Sequence, residues 1–529
     1  MPARVVLTGL PTAGKSRVGQ LLAKRLGVPF VDVDATVEAE AGCSIAQLFN
    51  SRGEALFREL EAAATSSALR VDQAVVALGG GAITTPAVQD MLAGVTVIWL
   101  DVSVAEATRR QAGQSSARPL LAGDAASRLA ALKAARAGLY AAASRWRIDT
   151  DGLSCGQVAD RVLGLLKELA VVEVATAAPY DVVIGHGALA RLAPVVAGAS
   201  QVAVIASQAL ASVASQVVAT VEAAGVRAHL LSVPVGEAAK TSDVLATCWQ
   251  GLAEAGFTRS DLVVGVGGGA TTDLAGLVAA TYLRGVGWVG VPTTVLGMVD
   301  AGVGGKTGID LPQGKNLVGA FHEPLAVLAD LDTLDSLPVG EVRSGLAEVV
   351  KVGFTDDPSI LDLIETDPVG ALDVASGTLA QLILKGVRVK AGVVATDLRE
   401  RTTGTGPVGR ERLNYGHTMA HAIETFEHYT WRHGPAVAVG AVYAAEVARR
   451  VLGLSSDLVA RHRQSFASLG LPISYSQAPW DDLRQLIARD KKARGASVRM
   501  VLLRDIADVA LVANPPEDDL RAAYVSINQ

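Results

Sequence analysis

Val5-Val-Leu-Thr-Gly9-Leu-Pro-Thr-Ala-Gly14-Lys15-Ser16-Arg17 is the stretch that decides how this chain begins to fold. Its apolar start reads as a buried parallel strand, and from Arg17 the apolar positions recur at helical spacing. Between them lies G-x-x-x-x-G-K-S, in the strand–loop–helix context this motif needs. The glycines let backbone N–H groups face a polyphosphate, and the helix N-terminus adds partial positive charge. Lys15 is then placed to reach β- and γ-phosphates, and Ser16 to ligate Mg2+.

Outward from this loop, the short apolar runs at 75–78 and 95–100 read as further buried strands, alternating with amphipathic stretches such as 17–26 and a closing helix at 161–169. Residues 171–179 show little periodicity and read as a junction. A second α/β pattern starts near Tyr180 and runs to about residue 328, and from Leu334 long helical stretches dominate. The expectation is three domains, at 1–170, 178–330 and 331–529, in a chain of 529 residues with no internal repeat.

Composition narrows the class. Half of the residues are hydrophobic and 19% are charged, which excludes a disordered chain. Lys plus Arg number 47 against 53 Asp plus Glu, a net charge of −6, so there is no basic surplus to hold a nucleic-acid backbone. Cys43, Cys155 and Cys248 are too widely spaced for a disulfide scaffold or a zinc ribbon and fit a reducing cytosol. The start lacks the pattern of a signal peptide. The uncharged stretch 192–221 is long enough to span a bilayer, but its proline, glycine and amides argue for a buried strand (202–206) followed by a helix, so no membrane is expected.

In the first part, Phe30-Val-Asp32-Val-Asp34 reads as a strand with two acidic residues on one face. Asp34 is placed to take a proton from an acceptor hydroxyl, and Asp32 sits near the metal. Arg58, beside an apolar stripe, suits bidentate grip of a carboxylate. Gly79-Gly80-Gly81 lets a ligand approach the backbone, and Arg118-Pro119 lies in a Gly/Ser/Gln-rich loop that reads as a lid with a phosphate-binding arginine. Arg136 precedes Tyr140 by one helical turn. In this order the residues resemble shikimate kinase over residues 1 to about 168. The resemblance implies a nucleoside-monophosphate-kinase-like P-loop fold that moves the γ-phosphate of ATP to the 3-hydroxyl of shikimate. It implies that Asp34, Arg58, Gly80, Gly81 and Arg136 hold shikimate. Gly14, Lys15, Ser16 and Arg118 would handle ATP and Mg2+, with Asp32 supporting the metal.

In the second part, a buried strand runs from Asp261 into Gly267-Gly268-Gly269 and then a helix start at Ala-Thr-Thr-Asp273, a place to cradle a pyrophosphate. Glu237 could accept ribose hydroxyls, with Lys240 close behind. Pro292-Thr293-Thr294, Asp300, Gly304-Gly305-Lys306 and Gly314-Lys315-Asn316 put lysines and an amide among glycines, as anion contacts would require. Asn414, His417 and His421 fall at i, i+3 and i+7, His433 precedes a helix with Pro435 in its first turn, and Glu348 shares a face with Lys351. Glu, His and His with an open fourth position suit catalytic Zn2+ or a similar divalent ion.

These residues resemble 3-dehydroquinate synthase from about Tyr180 to about Leu503. The resemblance implies a Rossmann-like NAD-binding α/β domain and an α-helical metal-binding domain, with the site in the cleft between them. Zinc, with Co2+ as an alternative, would be bound by Glu348, His417 and His433. NAD would be bound around Glu237, Lys240, Gly268, Gly269, Asp273, Thr293, Thr294 and Lys315. The substrate, 3-deoxy-D-arabino-heptulosonate 7-phosphate, would be held by Asp300, Lys306, Asn316, Lys351, Lys390, Arg410, Asn414, His421 and Lys492, with a homodimer through this half. Three features depart from the family pattern: a longer link at 397–410, Pro435 where a Glu is common, and no acidic residue at 206–208. A metal-dependent polyol dehydrogenase in the second half, or a regulatory ATP-binding module in the first, are the alternatives.

Overall fold

The computed structural model describes residues 4–71, 74–92, 95–112, 125–144, 146–166, 169–374, 376–399, 408–492 and 498–528. It divides into two compact units, Met1–Glu168 and Leu169–Gln529.

The first unit is built on β1 (Arg4–Thr8), β2 (Phe30–Asp32), β3 (Ala74–Ala77), β4 (Thr96–Asp101) and β5 (Trp146–Asp149), paired all-parallel in the order β2-β3-β1-β4-β5. Val5, Val6, Leu7, Val75, Val76, Val97 and Ile98 are fully or almost fully buried, as strands covered on both faces must be. The chain leaving β1 goes to β2 on one side of the sheet and the chain leaving the neighbouring β3 goes to β4 on the other, so these connections diverge and open a crevice at the carboxyl ends of the strands. The G-x-x-x-x-G-K-S loop, Asp32 and Gly79–Gly81 all leave strands at that edge. Two details differ from the sequence reading. The helix after the loop starts at Lys15 rather than Arg17, spanning Lys15–Leu26, so Lys15 and Ser16 belong to its first turn. The strand at Phe30 stops at Asp32, whose carboxylate caps the helix Val33–Ala41 by accepting from the N–H groups of Asp34 and Ala35. Asp32 and Asp34 therefore do not share a strand face. N-capping is the stronger use of an Asp followed by helix formers.

The second unit has a seven-stranded sheet made from β6 (Ala170–Val174), β7 (Tyr180–Gly185), β8 (Gln201–Ser207), β9 (Arg227–Val233), β10 (Leu262–Gly267), β11 (Gly287–Pro292) and, after the hairpin β12 (Lys306–Leu311)–β13 (Gly314–Phe321), β14 (Ala326–Asp330). The order is β6-β7-β14-β11-β10-β8-β9, parallel except for the antiparallel β6–β7 pair. Along β8, Val202, Val204 and Ala206 face one layer of helices, while Ala203 and Ile205 face the other. The segment 171–179, read as a junction, instead supplies most of the edge strand β6, with Val174 fully buried. Its short apolar–polar alternation is too brief to show as a period. The uncharged stretch 192–221 holds β8 and the start of the helix Ala211–Ala223, and among the described residues no helix is long and apolar enough to cross a membrane.

The rest of this unit is helical, around Val339–Thr355, Gly377–Thr396, His417–Phe426 and His433–Val451. Their core runs on into Tyr180, Val182, Ile184, Val327 and Ala329 of the sheet, so sheet and helices are packed as one body. A late antiparallel hairpin, β15 (Arg499–Asp505) and β16 (Asp508–Ala513), was not anticipated.

A fragment beginning at Leu169 should fold stably, whereas one beginning at Thr176 loses β6. The buried Val174 side chain alone contributes about 1.5 kcal/mol or more. The shorter fragment should therefore melt at a lower temperature in circular dichroism, and equal midpoints would show that β6 is dispensable.

Candidate active sites

In the first unit, Lys15 Nζ donates to the carbonyls of Gly9 and Leu10, both at 3.0 Å, folding the lysine over its own loop. Four elements bring the other candidates together. Arg58, on the helix Ile45–Ala68, lies so close over Gly81 that a Cβ there would stand 2.5 Å from its Nη1. Asp34 and Glu61 carboxylates meet over Gly79. Arg136 Nη1 and the Tyr140 hydroxyl both donate to the Gly80 carbonyl, at 2.8 and 2.6 Å. Glu61, buried and 2.7 Å from Arg58 Nη1, was missed by the sequence reading; its signal was an acid one helical turn after Arg58. Burial raises its pKa, against the pull of Arg58. Arg118 lies outside the described residues.

In the second unit, Gly267–Gly269 ends β10 and starts the helix Gly269–Thr281. Thr293 and Thr294 sit beside it: Thr293 N–H donates to the Gly267 carbonyl at 2.9 Å, and Thr294 would touch a Cβ on Gly268. Buried Lys240 is the node of this region. It donates to Asp273 at 2.8 Å and to the Asn316 side chain, tying the β12–β13 hairpin to the helix after the glycines. Burial pushes Asp273 up to about 6, against Lys240. Lys315 lies 3.6 Å from Glu237 and 4.7 Å from the Tyr429 ring centre. A buried strand ending in glycines, a helix N-terminus and a threonine pair of this kind fit a dinucleotide pyrophosphate. Asn316, expected from the resemblance to touch substrate, is thus bonded to Lys240, one of the cofactor candidates.

Glu348, His417 and His433 come from three helices, and their ligand atoms all lie within 4.8 Å of one another. Glu348 Oε1 is 3.3 Å from His433 Nε2 and 3.6 Å from His417 Nε2. Tetrahedral ligands about 2.0–2.1 Å from one ion stand about 3.3–3.4 Å apart, so the triad has the span of a zinc site. Oε1 of Glu348 is also buried with no hydrogen-bond partner among the described residues, the kind of atom a cation satisfies. The other oxygen pairs with Lys351 Nζ, which also donates to the Leu413 carbonyl. Although burial opposes its charge, Lys351 and the two imidazoles hold Glu348 well below the ordinary carboxylate range. His417 turns Nδ1 toward the Tyr415 carbonyl, and His433 turns Nδ1 toward Glu424. Burial disfavours an imidazolium at His433, but Glu348 and Glu424 raise its pKa to about 10, a proton that a metal would displace.

This convergence depends on bare backbone. A Cβ on Gly434 would lie 2.2 Å from the Ser344 carbonyl oxygen, and one on Gly440 would lie 2.2 Å from that of Gly416, so the helices cross at contact. Gly416 itself is left-handed (φ 80) and breaks the chain before His417. Asn414 accordingly ends a separate turn, Arg410–Asn414, and is not on the face of the helix carrying His417 and His421; the i, i+3 relation does not survive the break.

Beside the triad, Asp300 and Lys390 form an ion pair at 2.5 Å and share a small cavity with Glu348 and Lys351. Burial opposes the Asp300 charge, but Lys390 holds its pKa low. Arg410 is buried behind Gly304 and donates to the Leu398 carbonyl at 2.6 Å. Tyr180, from β7, accepts from Gly304 N–H at 2.8 Å. Lys306 is exposed at the start of β12, and the His421 ring lies 5.3 Å from that of His417. The side chains of Lys491 and Lys492, and residues 400–407, lie outside the described residues.

Residues 11–167 match the family model described as Shikimate kinase, residues 230–344 that of 3-dehydroquinate synthase N-terminal, and residues 345–493 that of 3-dehydroquinate synthase C-terminal. The 3-dehydroquinate synthase of Cutibacterium acnes is 51% identical over 361 residues, covering 67% of this chain and 98% of that protein. That of Thermobifida fusca is 51% identical over 355 residues, covering 67% of this chain and 95% of its own length. Among solved structures, the 2-epi-5-epi-valiolone synthase of Streptomyces hygroscopicus, with NAD+ and Zn2+ bound, aligns with a TM-score of 0.61 and 27% identity, over 68% of this chain and 98% of that one.

Two measurements probe this geometry. Gly434→Ala must push His433 away from Glu348, so the variant should bind zinc far more weakly than the wild type in a chelator competition. A second concerns His462, fully buried, which donates from Nδ1 to the Leu458 carbonyl at 2.7 Å and accepts from the Tyr415 hydroxyl at 2.9 Å. Burial pushes its pKa down to about 4, whereas an unfolded histidine titrates near 6.5. The unfolded chain thus takes up the proton first, and stability present above pH 6.5 is lost as pH falls toward 4, by up to about 3 kcal/mol. The melting midpoint should fall more steeply between pH 7 and 4.5 in the wild type than in His462→Gln; parallel slopes would refute this.

Proposed function

This chain belongs to the 3-dehydroquinate synthase family and carries a shikimate kinase domain ahead of it; it is a bifunctional shikimate-pathway enzyme, and we propose that its residues divide the work as follows. The observation that carries the reading is the pairing of a phosphate loop facing Asp34, Arg58 and Arg136 in one unit with the Glu348–His417–His433 triad beside Lys351 and Lys390 in the other.

In the first unit, Arg58 and Arg136 hold the carboxylate of shikimate, and the backbone of Gly80 and Gly81 lines the pocket. Asp34 accepts the proton of the 3-hydroxyl as it attacks the γ-phosphate of ATP. Lys15 exchanges its own loop carbonyls for the β- and γ-phosphates and, with Arg118, neutralises the charge in transfer. Ser16 and Asp32 serve Mg2+. Glu61 keeps the Arg58 guanidinium aimed.

In the second unit, Glu348, His417 and His433 hold zinc, which when bound supplies a Lewis acid for a substrate hydroxyl. Glu237, Lys240, Gly268, Gly269, Asp273, Thr293, Thr294 and Lys315 would hold NAD, which when bound would supply reversible hydride chemistry. The substrate is 3-deoxy-D-arabino-heptulosonate 7-phosphate, and the products are 3-dehydroquinate and inorganic phosphate. Lys351 spends two donors on Glu348 and the Leu413 carbonyl and keeps a third for a substrate oxygen. Asp300, ionised beside Lys390, accepts from a substrate hydroxyl. Lys306, Lys390, Arg410 and Lys492 gather positive charge around the departing phosphate, and Asn316, Asn414 and His421 complete the pocket.

The exposed apolar side chains of Leu283, Leu317, Val318, Phe321 and Leu325, on and around the β12–β13 hairpin, support a homodimer through this unit. Three unpaired cysteines support a reducing cytosol, and the net charge of −6 supports small molecules rather than nucleic acid as partners.

Lys15→Ala should lower shikimate-dependent ADP formation by roughly 10²-fold or more while leaving phosphate release by the synthase unchanged. Glu348→Ala should do the reverse and lose bound zinc. Net NADH accumulation in place of phosphate release would overturn the synthase reading in favour of a polyol dehydrogenase. For the dimer, Phe321→Glu should halve the mass measured by light scattering; an unchanged mass would put the interface elsewhere.

A further inference from the structure

The sequence pattern accounts for the three metal ligands but not for Glu424. This carboxylate lies on the same helix as His417 and His421, seven residues after His417, and only 4% of it is exposed. Burying a carboxylate is costly unless it is paired and hydrogen-bonded, so its presence calls for a partner. The partner is His433. Its Nδ1 lies 3.3 Å from Glu424 Oε1 and 3.4 Å from Oε2, a two-oxygen acceptor aimed at one N–H. The opposite nitrogen of the same ring, Nε2, is the atom that converges with His417 on Glu348 Oε1.

The backbone is shaped to make this contact. Helices His417–Phe426 and His433–Val451 are joined by a turn in which His428 and Tyr429 both adopt left-handed conformations, with φ of 52 and 60. Tyr429 N–H donates to the Glu424 carbonyl at 2.7 Å, closing the first helix. The reversal brings the last turn of one helix against the first residue of the next. His417 uses a different holder, the backbone carbonyl of Tyr415 at 3.2 Å.

We propose that Glu424 is the positioning residue of the metal site, accepting from His433 Nδ1 and so fixing the tautomer and ring orientation that present Nε2 to the ion. The inference rests on the reading of Glu348, His417 and His433 as metal ligands. A carboxylate behind a ligating imidazole does more than orient it: the negative charge makes the imidazole a stronger donor. A neutral amide in its place keeps the shape and the acceptor oxygen but loses that charge.

The test is zinc affinity of the full chain, measured by competition with a chromogenic chelator. Glu424→Gln should bind zinc roughly 10- to 100-fold more weakly than the wild type, while its metal-free form melts at the wild-type temperature. In the Co2+-loaded protein the visible d–d absorption should shift. Glu424→Asp, which keeps the charge but retracts it, should fall between the two in affinity. Wild-type affinity and an unshifted Co2+ spectrum in Glu424→Gln would overturn the proposal. If that variant does not fold, the Co2+ spectrum of Glu424→Asp decides in the same way. His433→Ala separates the two readings: loss of zinc there with no effect at Glu424 refutes only the positioning role, whereas retention of zinc refutes the metal site and with it this proposal.

Discussion

The carboxylate of Glu348 is the constraint around which the second unit is arranged. It sits on a helix whose residues from Ser344 to Thr355 are all buried, and such a charge survives only if neighbours compensate it. Lys351 compensates one oxygen from the next turn of the same helix. The other oxygen is left to two imidazoles and to the ion they would share. Each of those imidazoles arrives on its own helix, and each helix arrives through a glycine. Remove any of these and an uncompensated charge remains in a low-dielectric interior.

The same logic extends to the surrounding electrostatics. Asp300 and Lys390 neutralise each other within the cavity that Glu348 and Lys351 line, and Lys240 is shared between Asp273 and Asn316. Fixed ion pairs of this kind leave defined spare donors, and spare donors are what an anionic, polyhydroxylated substrate can use. In the first unit the arrangement is parallel in principle. Glu61 restrains Arg58, and the Gly80 carbonyl receives both Arg136 and Tyr140, so the side chains proposed to hold the acceptor are fixed by partners before anything binds.

Two features of the fold explain why unlike residues meet. Parallel strands deliver every loop at their carboxyl ends to the same edge, so Gly9–Ser16, Asp32 and Gly79–Gly81 converge without being near in sequence. In the helical part no such edge exists. Contact is made instead by close crossings, at Gly434 against Ser344 and at Gly440 against Gly416. Side chains of any size at these positions would hold the ligand helices apart.

The phosphate loop, the glycine triplet, the Glu348/Lys351 face and the histidine cluster were legible in the sequence, because each is a local pattern whose spacing carries its own chemistry. So were the central strands, since an unbroken apolar run is what burial on both faces demands. Other features required the tertiary structure. Asp32 turned out to cap a helix, Gly416 separated Asn414 from His417, and residues 170–174 became an edge strand, because capping, left-handed breaks and edge pairing leave almost no periodic trace. Glu61, Tyr180 and Glu424 likewise carry no motif of their own. Their roles come from partners brought close by folding, and burial next to a particular neighbour, rather than residue type or spacing, is what gives a lone acid or phenol its function.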